Sequence, residues 1–387
     1  MDLYNKALEL IPWGVQTGSK KPDFLFFGKG PVHVRKAFGS KIISIDGKEY
    51  VDYIMALGAV ILGYSIEPQI EAIEKIAKEY ILTSLSSPLE IEVAEKIVKV
   101  IPSAEMVRFF KTGAEATSAA VRLSRYYTGR DKIMACGYFG WHDWANKGEG
   151  IPQCVKELTK HFNWENLDYV EKELKNKDYA AVIVEPVMGD EPNAEKLRFL
   201  RDITETTGTI LIFDEIKTGF RFLKRSAQAY FNVVPDLTVL GKAIANGMPL
   251  SVLCGKREFM KAMEHVWIST TYGSEALSLA AANYTIDFLT DEKNKKLWSL
   301  GEKLINGLKE VVSKNGVGGT IIGYPVMNHL KFYKDEDEKI FIRESMKLGV
   351  LFKRGGYNFV SLSHTEADIE KSLDVADIAL KKLKKGG

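Results

Sequence analysis

Gly208-Thr209-Ile210-Leu211-Ile212-Phe213-Asp214-Glu215 is an apolar run opened by a glycine and closed by two acids. It is long enough only for a strand, so Asp214 is expected at that strand's carboxyl end. A second short run, Pro235-Asp236-Leu237-Thr238-Val239-Leu240-Gly241-Lys242, has turn signals on both sides and ends on a lysine. Open parallel sheets bind ligands outside the carboxyl ends of their strands. An acid and a lysine at two such ends are therefore candidate site residues, although each alone also reads as a helix-capping acid or a solvated lysine.

Upstream, Lys111-Thr112-Gly113-Ala114-Glu115 lies between the strand-like Val107-Arg108-Phe109-Phe110 and a helical run from Ala114 to about Tyr127. Thr112 followed by Glu115 reads as a capping box, and the glycine with the free amides of a helix start forms a natural anion site. From about Ile70 to Cys254 helical and strand patterns alternate, the signature of an α/β sheet. Helices are expected over Ile70 to Ala77, Leu89 to Val100 and Ala194 to Thr206, with strands over Ala180 to Glu185 and Ser251 to Gly255. A further helix is expected from Ser274 to Leu289. Residues Val32 to Tyr53 read as short antiparallel strands. The end mixes a helix from about Ser299, strands around Thr320 to Phe332, and helices at Glu338 to Leu348 and Glu366 to Leu383. The expected division is 1–60 and 291–387 as two parts of one small domain, because neither piece has apolar residues enough for its own core, and 61–290 as the large domain.

Composition narrows the class. Over 387 residues, 45% are hydrophobic and 27% charged, and the formal charge is +2. That is the profile of a globular protein, with no basic block suited to nucleic acid and no long apolar run suited to a membrane. The start, from Met1 to Ile11, is a charged amphipathic stretch and not a signal peptide, so a cytoplasmic address is expected. Cys136, Cys154 and Cys254 are too few and too scattered for a disulfide frame or structural zinc, and the six histidines have no metal-ligand spacing, so no metal is expected. His142, in Gly140-Trp141-His142-Asp143-Trp144, is the one in suggestive company. The finish, Lys381-Lys382-Leu383-Lys384-Lys385, reads as a solvated helix end favoured by the macrodipole.

Four stretches in register carry a resemblance. Val107-Arg108-Phe109-Phe110-Lys111-Thr112-Gly113-Ala114-Glu115-Ala116-Thr117, Tyr127-Thr128-Gly129-Arg130-Asp131-Lys132-Ile133, Ile212-Phe213-Asp214-Glu215-Ile216-Lys217-Thr218-Gly219-Phe220-Arg221 and Gly241-Lys242-Ala243-Ile244-Ala245-Asn246-Gly247-Met248-Pro249 resemble the class III aminotransferases, with the glutamate-1-semialdehyde aminomutase branch nearest. The resemblance runs from about Ile11 to the end. It implies the α/β architecture of fold type I, with a large, mainly parallel sheet domain, a smaller α+β domain from both termini, and a homodimer with shared sites. It also implies pyridoxal 5'-phosphate as cofactor and small-molecule amino donors and carbonyl acceptors as partners.

By the same resemblance, Lys242 holds the cofactor covalently and shuttles the proton, while Asp214 keeps the pyridine nitrogen protonated. Thr112, Gly113 and Ala114 bind the phosphate, and Thr271 reaches the phosphate of the partner subunit. Tyr138 stacks on one ring face, and Ile216 covers the other, being two residues past Asp214 on one side of an extended segment. Plain core packing is the alternative for both. Glu185 and Asp190 fall near the phenolic oxygen. Substrate contacts are assigned to Lys20, Trp141, His142 and Glu275.

Some positions depart from the pattern. Lys20, in Trp13-Gly14-Val15-Gln16-Thr17-Gly18-Ser19-Lys20, stands where the aminomutase has an arginine gripping the substrate carboxylate, and a lysine lacks the bidentate fork. Gly356 stands at the acidic gate position, Phe139 where histidine is usual, and Glu275 where asparagine is usual. These departures argue against glutamate-1-semialdehyde as substrate and favour an aminotransferase, with glutamate as donor, acting on another keto or aldehyde compound. Gln16-Thr17-Gly18-Ser19-Lys20, Trp141-His142-Asp143-Trp144 and Glu275-Ala276-Leu277-Ser278-Leu279 resemble aminotransferases of specialised or polysaccharide pathways. The alternatives are an aminomutase, and a nucleotide-binding α/β protein for which Lys242 is incidental.

Overall fold

The computed structural model describes residues 3–190 and 192–383. It divides into two units, one of residues 67–294 and one of residues 1–66 with 295–387. The terminal unit opens with a helix over Leu3–Leu10 and an antiparallel ladder of β1 (Val34–Phe38), β2 (Lys41–Ser44) and β3 (Glu49–Asp52). Met1 and Asp2 of the expected first helix, and Lys384 and Lys385 of the lysine-rich end, lie outside the described residues.

The central unit is built on seven strands: β4 (Met106–Phe110), β5 (Lys132–Cys136), β6 (Thr159–His161), β7 (Tyr179–Val184), β8 (Ile210–Asp214), β9 (Leu237–Leu240) and β10 (Ser251–Gly255). Their order is β4-β10-β9-β8-β7-β5-β6. Pairing is parallel from β9 through β8, β7 and β5 to β6, and β10 alone runs against its neighbours β9 and β4. The link from β9 to β10 is too short for a crossover helix, which leaves antiparallel pairing as the reachable arrangement. Every residue of β7, β8, β9 and β10 is buried. This is the near-continuous apolar pattern of strands covered on both faces.

One topological fact organises the site. Since β10 is reversed between them, β4 and β9 point the same way, so β4, β5, β7, β8 and β9 all end at one edge of the sheet. Just past those ends stand Thr112, Tyr138, Glu185, Asp214 and Lys242. The helix Gly113–Thr128 leaves β4 and lies across β7, β9 and β10. Its buried Ala116, Ala119 and Ala120 allow that close approach, and Leu123 fills the core beneath.

The terminal unit resumes at Lys295, within the helix Asp291–Asn315, and goes on to the hairpin of β11 (Gly319–Tyr324) and β12 (Met327–Phe332) and the short strands β13 (Val350–Leu351) and β14 (Asn358–Phe359). β13 adds in parallel to β3, and β14 adds to β12. Helices Asp335–Lys347 and Glu366–Leu383 complete it. Among the described residues no helix is long and apolar enough to cross a membrane.

Two expectations are corrected. The helix expected from Ser274 is Ala276–Phe288, because the Glu275 side chain accepts the Leu277 and Ser278 amides and makes Glu275 the N-cap. The segment past Asp214 is a turn and not an extended strand. Ile216 N–H donates to an Asp214 carboxylate oxygen at 2.9 Å, and Gly219 N–H donates to Glu215 O at 2.7 Å.

Gly140, at φ 104°, lies on the first turn of the helix Gly113–Thr128, and a Cβ there would come within 2.5 Å of Ala114 Cβ. Gly140→Ala is expected to lower stability by about 1–3 kcal/mol through overpacking and the left-handed backbone. Denaturant unfolding against the parent measures it.

Candidate active site

Asp214 closes β8 as the last residue in register with β9, opposite Val239. It is buried, and one oxygen accepts the Ile216 amide. No protein donor among the described residues reaches the other. Burial, and then the nearby Glu185 carboxylate, push the Asp214 carboxyl up to about 7. Lys242 lies two residues past β9, on a short 3-10 turn, Lys242–Ala245. Its ammonium has no hydrogen-bond or ion-pair partner among the described residues. Burial first, and Lys217 second, hold it below the ordinary lysine range at about 8, against the opposing pull of Asp214 and Glu185. The backbone at Lys242 is left-handed, φ 46°, a conformation that clusters at functional sites in residues other than glycine.

At the end of β4 the expected capping box forms. The Glu115 amide donates to Thr112 Oγ1 at 3.3 Å, and the Thr112 amide donates to Glu115 Oε2 at 2.7 Å. Ala116 N–H takes the Thr112 carbonyl. The Gly113 and Ala114 amides are left facing outward at a helix start, where partial positive charge accumulates. Ser251 Oγ donates to the Thr112 carbonyl at 2.6 Å and ties the cradle to β10. Ile216 bridges cradle and lysine: a Cβ on Gly113 would meet Ile216 Cδ1 at 2.4 Å, and one on Gly241 would meet its Cγ2 at 3.4 Å. Turn geometry, not strand alternation, brings Ile216 there.

Glu185 follows β7 and is buried. Its Oε1 accepts the Tyr138 amide at 2.8 Å, and its Oε2 pairs with Lys217. The Tyr138 side chain is 70% exposed, so its ring is free to face a ligand. Phe139 points the other way, buried and stacked on Trp144 at 6.0 Å. His142 Nδ1 is 2.6 Å from Ser118 Oγ, which also accepts Trp144 Nε1–H, and Trp141 stands exposed with its ring edge-on to His142. Asp190 is exposed in the turn after Glu185, and Thr271 is exposed before the helix Ala276–Phe288. Glu275, expected to meet substrate, is engaged instead by its own helix and by Lys111 at 3.0 Å.

Lys20 and Gly356 belong to the terminal unit. Lys20 is exposed at the end of a 3-10 turn, Gly18–Lys20, and lines a cavity of about 300 Å³ with His33, Asp52 and Tyr64. A Cβ on Gly356 would meet Lys353 Cγ at an ordinary 3.5 Å, so nothing local requires glycine there.

Sequence reasoning missed Glu215 and Lys217. Glu215 is fully buried and accepts from the Thr218 hydroxyl, the Ala227 and Gln228 amides and Gln228 Nε2, which anchors the turn that carries Asp214. An acid directly after a strand-end acid was the available signal. Lys217 carried none beyond being a charge in an apolar context. Among the described residues no group of three or more His, Cys, Asp or Glu is arranged to hold a metal.

The residues fit a phosphorylated pyridine aldehyde. Paired amides at a helix start suit the phosphate, a half-buried amine without a partner suits the aldehyde, and an unengaged oxygen on a buried carboxylate suits a ring N–H. The comparisons agree with this. The family model described as aminotransferase class-III matches residues 27–142 and 150–379. Glutamate-1-semialdehyde 2,1-aminomutase 1 of Staphylococcus carnosus (strain TM300) is 36% identical, over 97% of this chain and 96% of that protein. The enzyme of the same name from Bacillus cereus (strain G9842) is 34% identical over 98% of each. The PLP-bound FumI protein of Sphingopyxis sp. MTA144 superposes with a TM-score of 0.93 at 26% identity, over 99% of this chain and 96% of that one. The chain belongs to the class III aminotransferases, and its mostly parallel mixed sheet is that of fold type I.

In the cofactor-free protein, labelling of Lys242 by an amine-selective reagent is expected to rise with pH through about 8, because only the neutral amine reacts. Ordinary lysines respond near 10.4. Peptide-resolved mass spectrometry across the alkaline range reads both.

Proposed function

We propose that this protein is a pyridoxal phosphate enzyme that moves an amino group on small molecules, with its site at the shared strand edge of the central unit. The observation that carries the reading is the convergence of Thr112, Glu185, Asp214 and Lys242 on that edge, where the charges of Asp214 and Lys242 act on each other. Bound cofactor supplies an electrophilic carbon for the amine and a ring that accepts the electron pair left when a substrate C–H bond breaks. The amides of Gly113 and Ala114 with Thr112 hold the phosphate. Asp214 accepts the ring N–H and keeps it charged, without which the ring is a weak electron sink. The Lys242 amine would anchor the cofactor and, when free, would hold and pass on a proton at Nζ. Tyr138 and Ile216 would cover the two ring faces, and Glu185 with Asp190 would serve the phenolic oxygen.

Two reactions use this machinery. The curated relatives favour the aminomutase, which moves the amino group from C2 to C1 of glutamate-1-semialdehyde. The second reading is transfer from an amino acid, glutamate first, to another carbonyl compound. Lys20 and Gly356 favour it, because a single exposed ammonium replaces a bidentate carboxylate clamp and a glycine replaces an acid. Trp141 and His142, on the loop after β5, are the substrate contacts proposed within the central unit.

The protein acts as a homodimer in this reading, with Thr271 of one protomer reaching the phosphate of its partner. The support is an apolar surface near Thr271, where Trp267 is 88%, Leu85 82% and Tyr272 60% exposed. Exposed aromatic and aliphatic side chains in number mark an interaction surface.

Borohydride treatment of the loaded enzyme is expected to fix the cofactor on Lys242, read by peptide mapping, and label on any other residue overturns the site. Supplied with glutamate-1-semialdehyde alone, an aminomutase forms 5-aminolevulinate without net keto acid. A transferase instead releases keto acid from glutamate as its cofactor converts to the amine form. Asp214→Asn is expected to cut turnover by orders of magnitude more than cofactor retention, since the phosphate and lysine contacts remain.

A further inference from the structure

Lys217 sits on the turn after β8, three residues past Asp214, with its carbonyl held by Arg221 Nη1 at 3.0 Å. Its ammonium pairs with Glu185 at the end of β7. The other Glu185 oxygen holds the Tyr138 amide at the end of β5. The Glu185 side chain is nearly enclosed, and the Gly137 backbone, at φ 140°, lies so close that a Cβ there would sit 2.7 Å from Glu185 Cγ. The carboxylate therefore has little room to turn. One line of contacts joins three strand ends and finishes at Tyr138, whose ring is exposed.

We infer that Lys217 is a positioning residue, fixing the Tyr138 loop through Glu185 at the shared strand edge. The inference rests on the cofactor-site reading above. Without Lys217, Glu185 is a buried carboxylate beside a second one, Asp214. With little room to turn, it is then driven toward its protonated form, and the Tyr138 amide loses a charge-assisted partner.

The charges that act on Lys242 are those of Lys217 and Arg221 from the turn after β8, Asp214 from β8 and Glu185 from β7. The Cys136 thiol also faces Glu185. The two cations favour the neutral amine of Lys242, and the two carboxylates favour its ammonium. Removing Lys217 keeps Lys242 protonated to higher pH even where Glu185 takes a proton, because Lys217 acts on Lys242 more strongly than Glu185 does, whereas removing the Glu185 charge alone has the opposite effect. Damage to packing alone would not produce shifts of opposite sign.

The test uses cofactor-free full-length enzyme as wild type, Lys217→Met, Lys217→Arg and Glu185→Gln. Pyridoxal 5'-phosphate is added across neutral to alkaline pH, with capture followed by visible absorbance and affinity by equilibrium dialysis. For Lys217→Met the midpoint of capture is expected to rise by about one pH unit, with about tenfold weaker affinity. Lys217→Arg stays near wild type, and Glu185→Gln shifts the midpoint down. An unmoved midpoint and affinity in Lys217→Met, or shifts of one sign in both charge-removing variants, overturn the inference. If Lys217→Met does not fold, an unmoved midpoint in Glu185→Gln overturns it alone. Failure of the wild type to capture the cofactor on Lys242 overturns the underlying site reading, and the wild-type arm separates that outcome from the others.

Discussion

Two opposite charges, Asp214 and Lys242, are held largely out of water at the ends of neighbouring strands, and neither can relax without disturbing the other. Withdrawing a carboxylate or an ammonium from water costs several kcal/mol unless partners offset it. Here the offset is partial by construction. Asp214 keeps one oxygen unengaged, and Lys242 keeps its amine free. Each is thereby pulled toward its neutral form: the neutral amine is the form that attacks a carbonyl, and a cationic partner at the open Asp214 oxygen would restore the carboxylate. The spacing between them is set by the parallel ladder of β8 and β9, with strands roughly 4.8 Å apart, and not by flexible side chains.

Beneath that pair lies a layer of fully satisfied polar groups. Glu215 takes four donors from its own turn and from the helix Ala227–Phe231. Gln228 passes the network to Thr238 on β9 at 3.0 Å, and Thr238 passes it to Ser103 at 2.7 Å. At the opposite edge of the sheet Asp236, just before β9, accepts the Leu211 amide and pairs with Lys256. Buried networks of this kind are stabilising when complete and costly when broken. They make the loops at the strand ends as well determined as the strands themselves. The edge that carries the chemistry is thus rigid on its protein side and open on the other.

Much of this was legible in the sequence where one kind of force dominates. The runs ending at Asp214 and Lys242 are strands because they are buried on both faces, and burial writes itself as unbroken apolar residues. The cradle at Thr112 was readable because capping uses a fixed spacing from Thr112 to Glu115. β5 and β6 were less visible, since Ile133-Met134-Ala135-Cys136 has little strand preference and Thr159-Lys160-His161 is short and polar. They are strands because the sheet beside them supplies the hydrogen bonds. Ile216 was assigned to the right neighbourhood for the wrong reason, because a carboxylate of its own chain bends the backbone there. The roles of Lys217 and Glu215 depend on partners distant in sequence, Glu185 and Gln228, and no local pattern encodes such pairs.

The left-handed backbone at Lys242 has its own consequence. A side chain with a Cβ at φ 46° carries strain of order 1 kcal/mol or more, and the buried ammonium adds to it. Judged by folding alone, glycine or asparagine suits this position better than lysine. An inert variant at Lys242 can therefore outlast the parent in heat or denaturant, so a screen that ranks variants by robustness would select against the chemistry. At this one residue durability and usefulness are opposed, and the lysine persists in the fold only because something other than stability is kept by it.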